Sequence, residues 1–160
     1  DKDNGIYGFN AYNNDQEAWG NFLYANGADF LNEDGTASGL DTPEAIEAMQ
    51  FFMDLNANYS PSKEMQAEVD AVSMFATGTV AMQPIGNWQL SYFTDNENIK
   101  DDFALAMLPS TPDGKRATVS NGLALSIPAD CQNMDAAKKF VAYASSKKGM
   151  EEAAEGPAIP

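Results

Sequence analysis

Much of the chain carries apolar residues at helical spacing. Ala18, Trp19, Phe22 and Leu23 recur on one helix face. Asn14 followed by Glu17 makes a capping box before them, and Gly27 is a natural stop. Phe30-Leu31, the turn Asn32-Glu33-Asp34-Gly35 and Thr36-Ala37 predict a short hairpin. Asp41-Thr42-Pro43-Glu44 combines a capping residue, a first-turn proline and an acid near the positive helix end. Ile46, Met49, Phe52, Met53 and Asn56 trace one face of the helix that follows. Ser60-Pro61-Ser62 breaks the pattern. A third helix is predicted from about Lys63 to Thr77, with Met65, Val69, Val72, Phe75 and Ala76 inward and Gly78 closing it.

The period then shortens. Val80-Ala81-Met82 predicts a buried strand ending at Pro84, followed by Gly86-Asn87-Trp88 and a short helix with Leu90, Tyr92 and Phe93. Phe103 to Leu108 predicts a strand, Pro109 to Gly114 a loop, and Thr118 to Ile127 a long strand interrupted by Asn121-Gly122. Asp135 to about Ser146 predicts a helix with Ala136, Phe140, Val141, Tyr143 and Ala144 apolar, and a last helix starts near Gly149. Short strands separated by more numerous helices indicate an α/β or α+β domain.

Composition narrows the chemistry. The 160 residues suit about one domain. Leu, Ile, Val and Phe make up only about 18%, which with high net charge points toward disorder. The 11% aromatic content, eight Met residues and the helical periodicity point instead to a folded chain. A net charge of −15 leaves no electrostatic footprint for nucleic acid or anionic lipid. No His is present, which removes the commonest general base and metal ligand. A single Cys, Cys131, excludes an internal disulfide and a Cys-based zinc site. No metal or cofactor is expected, and no apolar run approaches the roughly 18 residues of a membrane span. The chain begins at Asp1, so a processed chain, a trimmed chain or a fragment is expected.

Three motifs fail on spacing. Ser60-Pro61-Ser62-Lys63 lacks the K-T-G and S-D-N elements that its nucleophile chemistry needs. Gly114-Lys115 is followed by Arg116 and preceded by Pro109 where a phosphate loop needs Gly. Placing Gly35 sixth in a calcium loop puts Phe30 first, where a carboxylate is required. The 24 acids offer many pairs for two-carboxylate sugar hydrolysis, but spacing marks none.

The ordered set is more specific. It runs from the first helix through the Asp-Gly hairpin and the Thr-Pro-Glu helix to Met74-Phe75-Ala76-Thr77-Gly78-Thr79-Val80-Ala81-Met82 and Gly86-Asn87-Trp88. It continues through Phe103 to Pro109, Ser120 to Ile127, Ala136 to Phe140 and a closing Gly-Pro-Ala-Ile-Pro. This resembles the sugar-type extracellular solute-binding proteins of ABC importers, the family of maltose-binding protein. The resemblance implies a partial α/β fold of the periplasmic-binding-protein-like type II. Residues 1–118 would belong to the second lobe. Residues 119–160 would supply the crossing strand Val119 to Ile127 and a helix returning to the first lobe. The family often places two glycines at the crossing, where this chain has Asn121-Gly122.

Sugars present C–H faces and hydroxyl edges, so a receptor needs flat aromatics and polar side chains. The family position matching Trp88 lies in the cleft; the residue itself also reads as a core Trp beside Phe93. Asn87 reads as a ligand contact or a helix cap. The resemblance turns Asn13, Asn14 and Asp15 toward the cleft, although each also suits a cap, Asn14 above all. Trp19 and Tyr12 read as core or as ligand contacts, and Asn121 as a contact near the hinge. The implied function is a non-enzymatic receptor outside the membrane. It would be extracellular or periplasmic, lipid-anchored in a Gram-positive source, and monomeric when complete. It would deliver a sugar or oligosaccharide to permease subunits, closing by a hinge motion. The alternatives are a glycoside hydrolase, which would release reducing sugar, and a helical interaction module, which would have no cleft aromatic.

Overall fold

The computed structural model describes residues 4–12, 15–122 and 124–154. They fall into two compact units, Asp1–Val119 and Ser120–Pro160.

In the first unit, α1 (Gln16–Ala25) begins at Asp15, whose carboxylate accepts from the Glu17 N–H at 3.0 Å. Asp15 therefore replaces the expected Asn14 as the cap; its extended backbone lets the short carboxylate reach forward. The helix ends as the sequence predicts. Gly27 takes φ +85°, its N–H bonds the Tyr24 carbonyl, and the Ala28 N–H bonds that of Leu23. This closes two otherwise orphaned carbonyls and buries Leu23 beside Ala28. The hairpin forms as a turn with one antiparallel bridge, Leu31 to Ser38. Asn32 Oδ1 holds it by accepting from the N–H groups of Thr36 and Ala37.

Helix α2 (Pro43–Tyr59) starts on Thr42, whose hydroxyl accepts from the Ala45 N–H. Its buried face is Ala45, Ala48, Phe52 and Asn56. Ile46 and Met53, expected inward, are exposed. Small alanines let α2 approach α1 closely, and Phe52 supplies the volume, so the helix is rotated from the face that bulk alone would choose. The predicted third helix is two helices, α3 (Lys63–Glu68) and α4 (Ala71–Ala76). Asp70 divides them: its carboxylate caps α4, accepting from the N–H and hydroxyl of Ser73. Val69, expected inward, is exposed at this break.

The core has two clusters. Ala11, Ala18 and Phe52 form one, and Leu23, Ala28 and Ala45 the other; Trp19 packs partly buried against both. A further group centres on buried Phe93 of α5 (Leu90–Asp95), ringed by Phe75, Tyr92 and Phe103 at 5.2–5.6 Å. The unit is also closed end to end, because Asn21 Oδ1 accepts from the Val119 N–H at 2.7 Å, 98 residues away.

The predicted strands form no ladders among the described residues. Val80 makes one parallel bridge to Tyr7. Residues 103–108 and the described part of 118–127 are unassigned, and Leu105, Met107 and Leu125 are exposed. A strand needs neighbouring backbone partners, and the described residues offer these segments none. In the second unit, α6 (Met134–Ala144) and α7 (Lys147–Ala154) pack on each other, with Phe140 65% exposed despite its apolar character.

The rotated face of α2 gives a direct check. Phe52→Ala is expected to cost about 3–5 kcal/mol in chemical denaturation. Ile46→Ser should stay within about 0.5 kcal/mol of the parent. Comparable losses at the two positions would contradict this packing.

Candidate functional site

One extended segment organises the candidate residues. Residues 7–12 run beside 79–84, with Tyr7 N–H to the Thr79 carbonyl, Ala81 N–H to that of Tyr7, and Asn10 N–H to that of Met82, each at 2.9 Å. Asn10 is fully buried. Its Nδ2 donates to Gln83 Oε1 and its Oδ1 accepts from Gln66 Nε2, both at 3.4 Å. Gln83 Nε2 is buried and has no partner among the described residues, a deficit of about 1–3 kcal/mol. Tyr12 completes the link by donating its hydroxyl to the Pro84 carbonyl at 3.3 Å.

These bonds fix the loop that carries Trp88. Gly86 caps a single 3-10 turn, Asn87–Gln89, which runs into α5. The indole of Trp88 folds back over Gly86: a Cβ there would fall on ring atoms Cζ2, Cζ3 and Cη2. Glycine is thus required for a close approach, since its φ of −85° suits any residue. Trp88 is 49% exposed, and the rings around Phe93 belong to Phe75, Tyr92 and Phe103. Asn87 is exposed at the first position of the 3-10 turn, while the capping position belongs to Gly86.

The structure joins Tyr12 to the loop leading to Trp88. Asp15, partly buried, serves α1 as its cap. Trp19 packs against Phe30 with ring centroids 5.3 Å apart. Asn13 and Asn14 lie outside the described residues. Asn121 is exposed in the second unit. A shallow depression of about 650 Å³ on the outer side of α2 is lined by none of these residues. Burial, then the charges of Asp15 and Glu17, push the Tyr12 hydroxyl up to about 12. Glu17 is also raised, by desolvation and then by Asp15. Among the described residues, no cluster of three or more acidic or sulfur ligands could hold a metal, and no helix is long and apolar enough to cross a membrane.

Sequence reasoning missed Asn10, Gln66 and Gln83. A polar residue between Phe9 and Ala11 is the visible signal, since an amide amid apolar neighbours must find internal partners once buried.

The family described as bacterial extracellular solute-binding protein matches residues 1–151. The chain belongs to this family. Several solved structures share its fold. A solute-binding protein of an ABC transporter from Thermotoga lettingae TMO, bound with α-D-tagatose, is 30% identical with a TM-score of 0.76. Maltose-bound MalE3 of T. maritima is 28% identical with a TM-score of 0.73. The alignments cover 99% of this chain and 43% of each of those two. The GacH receptor of Streptomyces glaucescens, solved unliganded and with acarbose, is 20% identical with a TM-score of 0.71, over 99% of this chain and 42% of its own. The fold is therefore that of the type II periplasmic binding proteins over a partial span. The chain spans about two fifths of the length of these structures. Among curated proteins, none matches.

Two measurements test the local geometry. Because its folded pKa is raised, Tyr12 contributes stability below about pH 10 that is lost as pH rises toward 12. The stability difference between the parent and Tyr12→Phe is therefore expected to shrink across that window in denaturation series at successive pH values. Separately, Gly86→Ala should displace the Trp88 indole and shift its fluorescence maximum relative to the parent, with a melting temperature close to the parent's. An unchanged spectrum would contradict the stacked arrangement.

Proposed function

We propose that this chain forms one wall of the sugar site in the binding component of an ABC importer. The component works outside the membrane, captures a sugar or oligosaccharide between two lobes, and delivers it to permease subunits. The observation that carries this reading is the shared fold, over 99% of the chain, with two sugar-bound solute-binding proteins. The extracellular description of the family supports the location. On this reading residues 1–118 are second-lobe residues, and 119–160 cross toward the first lobe. Trp88 offers its indole to a sugar face, with Asn87 beside it as a hydrogen-bonding side chain. Tyr12, Asp15 and Trp19, with Asn13, Asn14 and Asn121, are the remaining candidates for that wall. The component binds without chemistry, and transport energy comes from the importer's ATPase. It acts as a monomer.

The reading separates two samples by calorimetry against a sugar panel. A two-lobe receptor carrying this sequence as its second lobe should bind one sugar class and release no reducing sugar. Trp88→Ala in that receptor should weaken binding by about 2- to 10-fold, matching a lost stacking contact of 0.5–1.5 kcal/mol. The 160-residue chain alone should bind no better than about millimolar, because half of a micromolar receptor's 8 kcal/mol is forfeited with one wall. Micromolar affinity from the chain alone would overturn the two-lobe reading. Full affinity in Trp88→Ala would remove Trp88 from the site.

A further inference from the structure

We propose that Tyr12 is a positioning residue of the sugar wall, one that braces the Trp88 loop through the Pro84 carbonyl and does not touch the sugar. The inference rests on the receptor reading and narrows it, because it takes Tyr12 out of the candidate ligand contacts. It uses only contacts made inside the first unit.

The brace begins where backbone pairing stops. The segment 7–12 pairs with 79–82 by backbone bonds, ending with the Asn10 N–H on the Met82 carbonyl at 2.9 Å. Pro84 has no N–H with which to continue. Side chains of the same segment carry the pairing two residues further. The Asn10 Nδ2 donates to Gln83 Oε1 at 3.4 Å, and the Tyr12 hydroxyl donates to the Pro84 carbonyl at 3.3 Å. Pro84 is buried, and a buried carbonyl needs a partner. Tyr12 supplies it.

Two features hold the hydroxyl to this task. Its ring packs partly buried against Ala11, Ala18 and Phe52, so it cannot swing away without opening that cluster. Burial, ahead of the charges of Asp15 and Glu17, pushes the hydroxyl up to about 12, so it keeps its one proton at neutral pH. That proton is committed to Pro84, and none is left for a sugar oxygen.

Trp88 is where the brace is felt. Ile85, Gly86 and Asn87 alone separate it from Pro84. The indole lies back over Gly86, so the ring rests on the same arc that Tyr12 holds. Beyond the arc, α5 is set by the buried Phe93. The arc is pinned at both ends. Release at the Pro84 end lets the indole leave the orientation in which a sugar face stacks on it.

The test uses a two-lobe receptor carrying this sequence as its second lobe, with fluorotryptophan incorporated. The fluorine resonance lost in Trp88→Phe is that of Trp88. Tyr12→Phe keeps the ring and removes only the hydroxyl. Without sugar, it should move the Trp88 resonance in the NMR spectrum. An unmoved resonance would overturn the brace. Calorimetry across the sugar panel then reads the role. Tyr12→Phe should weaken every sugar that the parent binds by one common factor of about 2- to 10-fold, the equivalent of one net hydrogen bond. In Trp88→Ala the same substitution should change affinity by less than about 2-fold, since both act through one group. A loss confined to sugars with one particular hydroxyl would mean that Tyr12 touches the sugar, and would overturn the proposal. So would a loss that persists in Trp88→Ala. A parent receptor that binds nothing in the panel would overturn the receptor reading, with the fluorine signal still deciding the brace.

Discussion

The first unit depends on a bookkeeping constraint: a buried backbone must have every polar group satisfied. The segment from Tyr7 to Tyr12 runs inward to the buried Asn10 and Ala11 without belonging to a sheet. Its donors are met from three directions. Tyr7 and Asn10 bond residues 79 and 82, Phe9 bonds Tyr59 at the end of α2, and Ala11 donates to the hydroxyl of Ser60 at 2.9 Å. The Ala11 carbonyl accepts from buried Asn56 of α2. The Asn56 amide and the Ser60 hydroxyl thus complete what the backbone of 79–82 leaves unpaired. Helix α2 turns the face bearing Asn56 inward, and the 79–84 segment lies where Asn10 and Tyr12 can reach it.

That arrangement anchors the stretch leading to Trp88. The loop holding it is tied behind by Gln83 and Pro84, through Asn10 and Tyr12, and flattened at Gly86 by the indole. Buried amide networks are demanding, since each member strengthens its neighbours only when all are paired. Gln83 is the half-satisfied member, its Nε2 unpaired among the described residues, and it lies five residues before the Trp.

Much of this was legible from the residues. Thr42-Pro43 announced α2, Gly27 announced the end of α1, and the Asp-Gly turn announced the hairpin, because each is local chemistry. The stretch from Met74 to Trp88 carried the family. What failed was nonlocal. On the expected face of α2, Phe52 and Asn56 are buried, whereas Ile46 and Met53 are exposed because Ala45 and Ala48 take the close approach. The break at Asp70 was missed because the apolar spacing runs across it, while a capping carboxylate outweighs two more turns of continuous helix. The strands expected at 103–108 and 118–127 form no ladder among the described residues, because pairing is decided by which backbone lies alongside. Among the chosen site residues, Tyr12 and the Trp88 loop were brought together. Asn10 was overlooked because its one signal, an amide between Phe9 and Ala11, is local, while its partners Gln66 and Gln83 lie far along the chain.

The bond between Asn21 and Val119 has a kinetic meaning as well. It ties the first helix to a residue 98 positions later, so the unit's closing contact belongs to the last stretch of its sequence to be made. At about 5–20 residues per second, the ribosome delivers Val119 several seconds or more after α1 has emerged. During that interval Asn21 and the aromatic residues of α1 wait without their final neighbour. A contact of this sequence separation carries a large loop-closure cost, so the bond that seals the unit forms late and the early helix folds without it.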